Sequence, residues 1–171
     1  MCWLAANYDD RLRAHLSSGE RPPTYAAYRA FSEGMGLYIA GHNAQAFPLF
    51  RNAFEVDSSF TPALLYASIC LTNVGQWARA DSLLRTVDRR RATLSEYHRA
   101  WLDYRRALIA GNHEGALAAI RLAAKAAPES KAAYNYAAEA FQSGHLREAL
   151  ATVDRLPSDR GGRRGLRNHS A

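Results

Sequence analysis

Thr61-Pro62-Ala63-Leu64-Leu65-Tyr66-Ala67-Ser68-Ile69-Cys70-Leu71-Thr72-Asn73-Val74-Gly75-Gln76-Trp77-Ala78-Arg79-Ala80-Asp81-Ser82-Leu83-Leu84-Arg85-Thr86-Val87 decides the fold of this chain. Thr61 and Pro62 open a helix, with Thr61 as the cap and Pro62 at the first helical position. The apolar run ends near Asn73, Gly75 turns the chain, and a second helix is predicted from Gln76 to Arg89. Ser68, Gly75, Ala80, Leu84 and Val87 answer Gly34, Gly41, Ala46, Phe50 and Ala53, 34 positions earlier. The pattern returns as Tyr104, Gly111, Ala116, Ile120 and Ala123, and again as Ala137, Gly144, Ala149 and Val153. A period near 34 with small residues at fixed offsets is the mark of stacked helical hairpins.

The residue types follow from packing. A large side chain where two helices cross closely would push the backbones apart, hence Gly34, Ser68, Ala46, Ala80, Ala116 and Ala149. Phe50, Leu84, Ile120 and Val153 fill the space beside them, each contributing roughly 1.5–3 kcal/mol when buried. Gly41, Gly75, Gly111 and Gly144 end the first helix of each pair, where a left-handed residue is needed. One hairpin has too few large apolar residues to stand alone, so several must stack.

The predicted first pair is Tyr25–Ala40 and Asn43–Val56, with Asn43 as cap and a kink or short first turn at Pro48. The third opens on Thr93-Leu94-Ser95-Glu96, read as a capping box, and its second helix ends at Ala126. The fourth pair is Ser130–Gln142 and Leu146–Leu156, stopped by Pro157. Residues 1–20 are predicted as an amphipathic helix and linker, with Leu4, Tyr8, Leu12 and Leu16 on one stripe. The repeat domain covers 21–157. Residues 158–171 form a basic tail without periodicity, expected to be disordered.

The second copy resembles the tetratricopeptide repeat family, with Leu64, Ala67, Ser68, Leu71, Gly75, Trp77, Ala80, Leu84 and Val87 at the signature offsets. The resemblance covers roughly Ala27 to Leu156, although Tyr104 replaces the small residue of the third copy. It implies an all-α, right-handed superhelical solenoid of about four antiparallel helix-turn-helix hairpins. The lead-in Arg21-Pro22-Pro23-Thr24-Tyr25-Ala26-Ala27-Tyr28-Arg29 looks like a stretch that precedes such repeats in large bacterial multidomain regulators. That implies a part in bacterial signalling or transcriptional regulation, though the kinase, DNA-binding or TolB-like domains of those regulators are not in this sequence.

The resemblance further implies a protein-interaction scaffold holding a peptide or helix of a partner protein in a concave groove. The residues expected to line it are Tyr28, Phe31, Met35, Tyr38, Leu65, Ile69, Asn73, His98, Trp101, Arg105, Leu108, Tyr134 and Asn135, with Phe141 beyond them. The alternative is a structural spacer or dimerisation arm whose groove packs against a neighbouring domain. Phe31, Met35, Tyr66, His98 and Leu102 stand where the family's chaperone-binding branch has its Lys, Asn and Arg carboxylate clamp, so acidic C-terminal tails are not expected to bind that way. An uncapped fourth hairpin leaves room for homo-oligomers.

Other classes are disfavoured. Of the net charge of +6, the last 14 residues supply half, with four arginines against one aspartate. No basic stripe is left on one helical face, which argues against nucleic acid. Cys2 and Cys70 lack metal or disulfide spacing, and Cys70 reads as a buried free thiol. His42, His113 and His145 follow the turn glycines of separate hairpins, where ligands could not converge on one metal. His98 and Arg105 share a helical face without forming a triad. Gly161-Gly162 opens no helix and so makes no phosphate loop, and Arg89-Arg90-Arg91 closes a helix, where cations suit the dipole. No enzymatic activity, cofactor or metal is expected. With no signal peptide and no apolar run of about 18 residues, the sequence predicts a cytoplasmic location.

Overall fold

The computed structural model describes residues 22–128 and 130–156. The expected N-terminal helix, Cys2, the stop at Pro157 and the basic tail lie outside the described residues. Within them the chain is all-helical, in eight α-helices. These are α1 (Tyr25–Ile39), α2 (Asn43–Val56), α3 (Thr61–Asn73), α4 (Trp77–Asp88), α5 (Glu96–Ile109), α6 (His113–Ala126), α7 (Lys131–Gln142) and α8 (Leu146–Val153). Each helix packs on the next in sequence order, and α3 also touches α5. None of the helices is long and apolar enough to cross a membrane.

Three-residue turns join α1 to α2, α3 to α4, α5 to α6 and α7 to α8. Each turn contains a glycine at φ between 68° and 86°. At Gly75 the helix ends because the Gln76 amide reaches back to the Leu71 carbonyl at 2.8 Å, which requires that left-handed glycine. Gly34 is small for another reason. A Cβ added there would lie 3.0 Å from the Phe50 ring, where α2 crosses α1.

Several helix ends differ from the sequence expectation. His42 rather than Asn43 caps α2, and the Asn43 side-chain amide instead donates to the Gly41 carbonyl at 3.0 Å. The cap of α3 is Phe60, which puts Thr61 first and Pro62 second in the helix. No capping box forms at Thr93. That connection holds a 3-10 turn, Arg91–Thr93, and Ser95 caps α5 by accepting from the His98 amide. Helix α8 ends at Val153, three residues before the expected Leu156. Helix α2 runs unbroken through Pro48, whose lost bond falls on the carbonyl of Ala44, a residue exposed to water.

Helix α3 is the hub. Every residue from Thr61 to Thr72 is buried. Leu64, Leu65, Ile69, Cys70 and Leu71 point all ways around it, so it needs neighbours on all sides. Two of its hydroxyls bond back into the helix, Ser68 donating to the Leu65 carbonyl at 2.6 Å and Thr72 to the Ile69 carbonyl at 2.8 Å, while the Thr61 hydroxyl meets that of Thr93 at 3.2 Å. An aromatic cluster of Phe31, Tyr38, Phe50, Phe60 and Tyr66 joins the first helix pair to α3, with ring centroids 4.8–6.4 Å apart.

Arginines fasten the outer edge. Arg90 donates to the Ser58 carbonyl and lies over the Phe54 ring at 5.1 Å. Arg91 grips Asp103 with both terminal nitrogens, and Arg106 reaches Asp88 at 2.6 Å. These exposed pairs set register and contribute roughly 0–1 kcal/mol each. The run Arg89-Arg90-Arg91 is thus a packing device between helix pairs, with Arg89 closing α4.

Gly34 and Gly36 give a matched test. Gly34→Leu forces a side chain into Phe50 and is expected to destabilise by about 1–3 kcal/mol. Gly36 is exposed with open space around it, so Gly36→Ala is expected to stabilise by about 0.5–1 kcal/mol. Urea denaturation of both variants measures the pair, and equal effects would disprove the close crossing at Gly34.

Candidate functional site

The expected groove residues fall into three groups. Phe31, Tyr38, Leu65, Ile69, His98, Trp101 and Arg105 are buried. Tyr28, Met35, Leu108 and Asn135 are half-buried, and Asn73 and Tyr134 are exposed. The centre of the expected groove is therefore packed interior and not open surface. The reason is crowding by aromatic neighbours: Phe31 and Tyr38 lie against Tyr66, and Trp101, only 2% exposed, lies between Tyr97 and Tyr104.

Polar groups line this interior. Arg105 donates to the Thr72 hydroxyl, joining α5 to α3, and its guanidinium lies 5.8 Å from the Tyr104 ring centre. The Tyr104 hydroxyl donates to Glu139 on α7 at 2.8 Å. The residue that breaks the small-residue rule thus ties the third helix pair to the fourth. The ammonium of Lys131, at the start of α7, sits 4.1 Å from the centre of the Tyr38 ring on α1. A side chain of the fourth helix pair therefore touches the first.

Burial sets the electrostatics here. It pushes the Tyr38 and Tyr104 phenols well above their usual range, with Glu139 adding to the effect at Tyr104 and Arg105 opposing it at both. Tyr97 is raised by the same cause. The Cys70 thiol is pushed up to about 12 by burial, against the pull of Lys131 and Arg105. It is a buried free thiol, as the sequence suggested, and as a neutral thiol it is a poor nucleophile. Burial also holds Arg105 and Lys131 below their ordinary values.

Ser95 and His98 form a hydroxyl–imidazole contact at 3.0 Å, but both are buried and the same hydroxyl caps α5. The contact is a helix-start device. His42, His113 and His145 are exposed at three separate turns.

Exposed large apolar residues occur along all the described helix pairs, among them Tyr25, Ile39, Val56, Val74, Trp77 and Leu122, and four of them lie on the last pair. Tyr134 is 46% exposed, Phe141 62%, Leu146 53% and Leu150 65%. Tyr134 and Phe141 stand ten and three residues before Gly144, as Phe31 and Tyr38 stand before Gly41. In the first pair those positions are covered by α3 through Tyr66. In the fourth pair they face outwards. Val153 likewise is half-buried where its counterpart Phe50 is wholly buried. The sequence reading found Tyr134 and Phe141 but missed Leu146 and Leu150. Their signal was available, since they flank the buried Ala149 on α8, the last of the described helices. Lys131 and Glu139 gave no such signal, because their role depends on contacts between distant helix pairs.

Compared with known proteins, the chain matches no family model, no curated protein and no solved structure.

The buried phenols and thiol predict alkaline instability. In the unfolded chain phenols ionise near 10 and thiols near 8.5; in the folded chain Tyr38, Tyr97, Tyr104 and Cys70 stay protonated to higher pH. Above those unfolded values the unfolded state binds fewer protons, so stability falls as pH rises. Lys131 and Arg105 act in the opposite sense, two groups against four. The urea midpoint is expected to drop steadily from about pH 9 to about pH 11, and at least Tyr38, Tyr97 and Tyr104 of the nine tyrosines should ionise, by absorbance at 295 nm, only on unfolding. A flat midpoint would contradict the burial of these groups.

Proposed function

We propose that the chain is a protein-interaction module of tetratricopeptide type, a right-handed superhelical solenoid of four hairpins that holds a peptide or helix of a partner protein. The observation that carries this reading is the exposure of four large apolar residues, Tyr134 and Phe141 on α7 and Leu146 and Leu150 on α8. Exposed apolar patches on a soluble fold mark interaction sites, and an amphipathic helix is the occupant that a helical face of this kind fits. Tyr and Phe at such positions supply anchors with little conformational freedom to lose. The 34-residue period and the lead-in before α1 support placing the module in a bacterial regulator. The docking surface is accordingly shifted from the middle of the groove to its fourth-hairpin end, where Asn135 and Tyr134 remain accessible.

The filled interior favours a second reading, in which the helices are a spacer or dimerisation arm and these exposed residues meet a second copy of the chain. The two readings separate in one set of measurements. The double variant Phe141→Glu, Leu150→Glu changes exposed side chains, so its stability is expected to stay within about 0.5 kcal/mol of the parent. A monomer at all concentrations in sedimentation velocity, with partner capture lost in the variant, supports the interaction module. Concentration-dependent dimers abolished by the variant support the arm. Neither self-association nor variant-sensitive capture would remove these exposed residues as a functional surface.

The interior residues give the counterpart. Trp101→Ala is expected to lower stability by about 3–5 kcal/mol because it empties a packed site. Loss of partner capture with an unchanged melting temperature would restore Trp101 to an open groove.

A further inference from the structure

Every carboxylate on α2 and α4 is taken by an arginine: Glu55 by Arg51, Asp81 by Arg85, and Asp88 by Arg91 and Arg106. Arg79, Arg89 and Arg90 are left over. They are exposed, and their bonds go to neutral groups: the Gln76 side chain, the Thr86 hydroxyl and the Ser58 carbonyl. Rings of α2 hold two of them in place. The Arg79 guanidinium lies 5.5 Å from the centre of the Phe47 ring, and that of Arg90 lies 5.1 Å from the centre of the Phe54 ring. Positions 47 and 54 are two helical turns apart, so both rings stand on one side of α2, about 10 Å from each other along the axis. Arg79 and Arg90 each commit one terminal nitrogen to a protein acceptor, of the five N–H groups that a guanidinium carries. No single helix carries a basic stripe, but α2 and α4 together make a basic seam.

We propose that the seam between α2 and α4 docks an acidic helix of a partner protein, whose carboxylates two turns apart meet Arg79 and Arg90. Side chains at i and i+7 of a helix share one face and stand about 10 Å apart, which matches the spacing of the two rings beneath the guanidinium groups. A guanidinium takes a carboxylate with two parallel N–H bonds. A third helix laid along two packed neighbours is an ordinary packing geometry. Half-buried Leu83, one turn after Arg79, and the half-buried rings of Phe47 and Phe54 give it apolar contact. The ring and the bond fix each guanidinium before the partner arrives, so docking orders little that was loose. Single-stranded nucleic acid fits less well, because bases need open rings to stack on and these rings are covered by arginine. The seam stands independently of the exposed apolar residues of α7 and α8.

Titration of the isotope-labelled protein with a synthetic peptide tests it, read through the arginine Nε–H signals in NMR spectra. The peptide is an alanine-based helix of about five turns, with glutamates at i and i+7 and leucines at i+3 and i+4. In about 0.05 M sodium chloride, saturable shifts of the Arg79 and Arg90 signals are expected, with a Kd below about 1 mM. Raising the salt to about 0.3 M is expected to weaken binding severalfold, since the charges are exposed. A control peptide with its glutamates at i and i+5, on different faces, is expected to bind about threefold more weakly or worse, and Arg79→Gln and Arg90→Gln are each expected to cost the matched peptide as much. Should Arg90→Gln fail to fold, Arg79→Gln alone decides. The double variant Phe141→Glu, Leu150→Glu is expected to bind the peptide as the parent does, which keeps this test separate from that of the last helix pair. The proposal is overturned by unshifted signals, by equal binding of the two peptides, by undiminished binding in Arg79→Gln, or by shifts with a single-stranded RNA in place of the peptide.

Discussion

The enclosure of α3 is the constraint on which the rest of the structure depends. A helix that carries Leu65, Ile69 and Cys70 alongside Leu64 and Leu71 has no face to turn to water. It must be surrounded, and α2, α4 and α5 are the neighbours that do so. Close approach on every side then requires small residues where helices cross and rings where they do not. Gly34 against Phe50, and Tyr66 against Phe31 and Tyr38, are the two halves of that solution.

The departures from the repeat pattern are as informative as the matches. Tyr104 stands where a small residue is the rule, and its hydroxyl reaches Glu139 in the next helix pair. The longer connection before α5 holds a 3-10 turn from which Arg91 crosses to Asp103. Arg105 and Lys131 bring charge beside the buried aromatic residues, Arg105 reaching Thr72 and Lys131 lying over the Tyr38 ring. Each departure links one helix pair to another, so the inner and outer edges of the array are specified by residues the repeat does not dictate.

The exposed apolar residues of the last described helix pair follow from the same geometry. Apolar residues at equivalent positions are needed in every copy for stacking, yet the last described pair has none of the described helices beyond it. Tyr134 and Phe141 consequently lie open where Phe31 and Tyr38 are enclosed. An exposed packing face invites another helix, whether from a partner protein or from a second copy.

By itself the sequence determined the helical class, the number and order of the helix pairs and the turns between them. It could do so because turn glycines, small crossing residues and a 34-residue period act locally. It misplaced the caps at Asn43, Thr61 and Thr93 because a capping side chain was assumed at each start, whereas His42 and Phe60 begin α2 and α3 by backbone geometry without a side-chain bond and Ser95 caps α5. It placed seven groove residues on a surface, whereas tertiary structure decided their burial. A side chain such as Trp101 or Tyr38 reads alike in sequence whether it lines a cleft or fills it. Only the distance between helices far apart in the chain, seen where Lys131 meets Tyr38, separates the two.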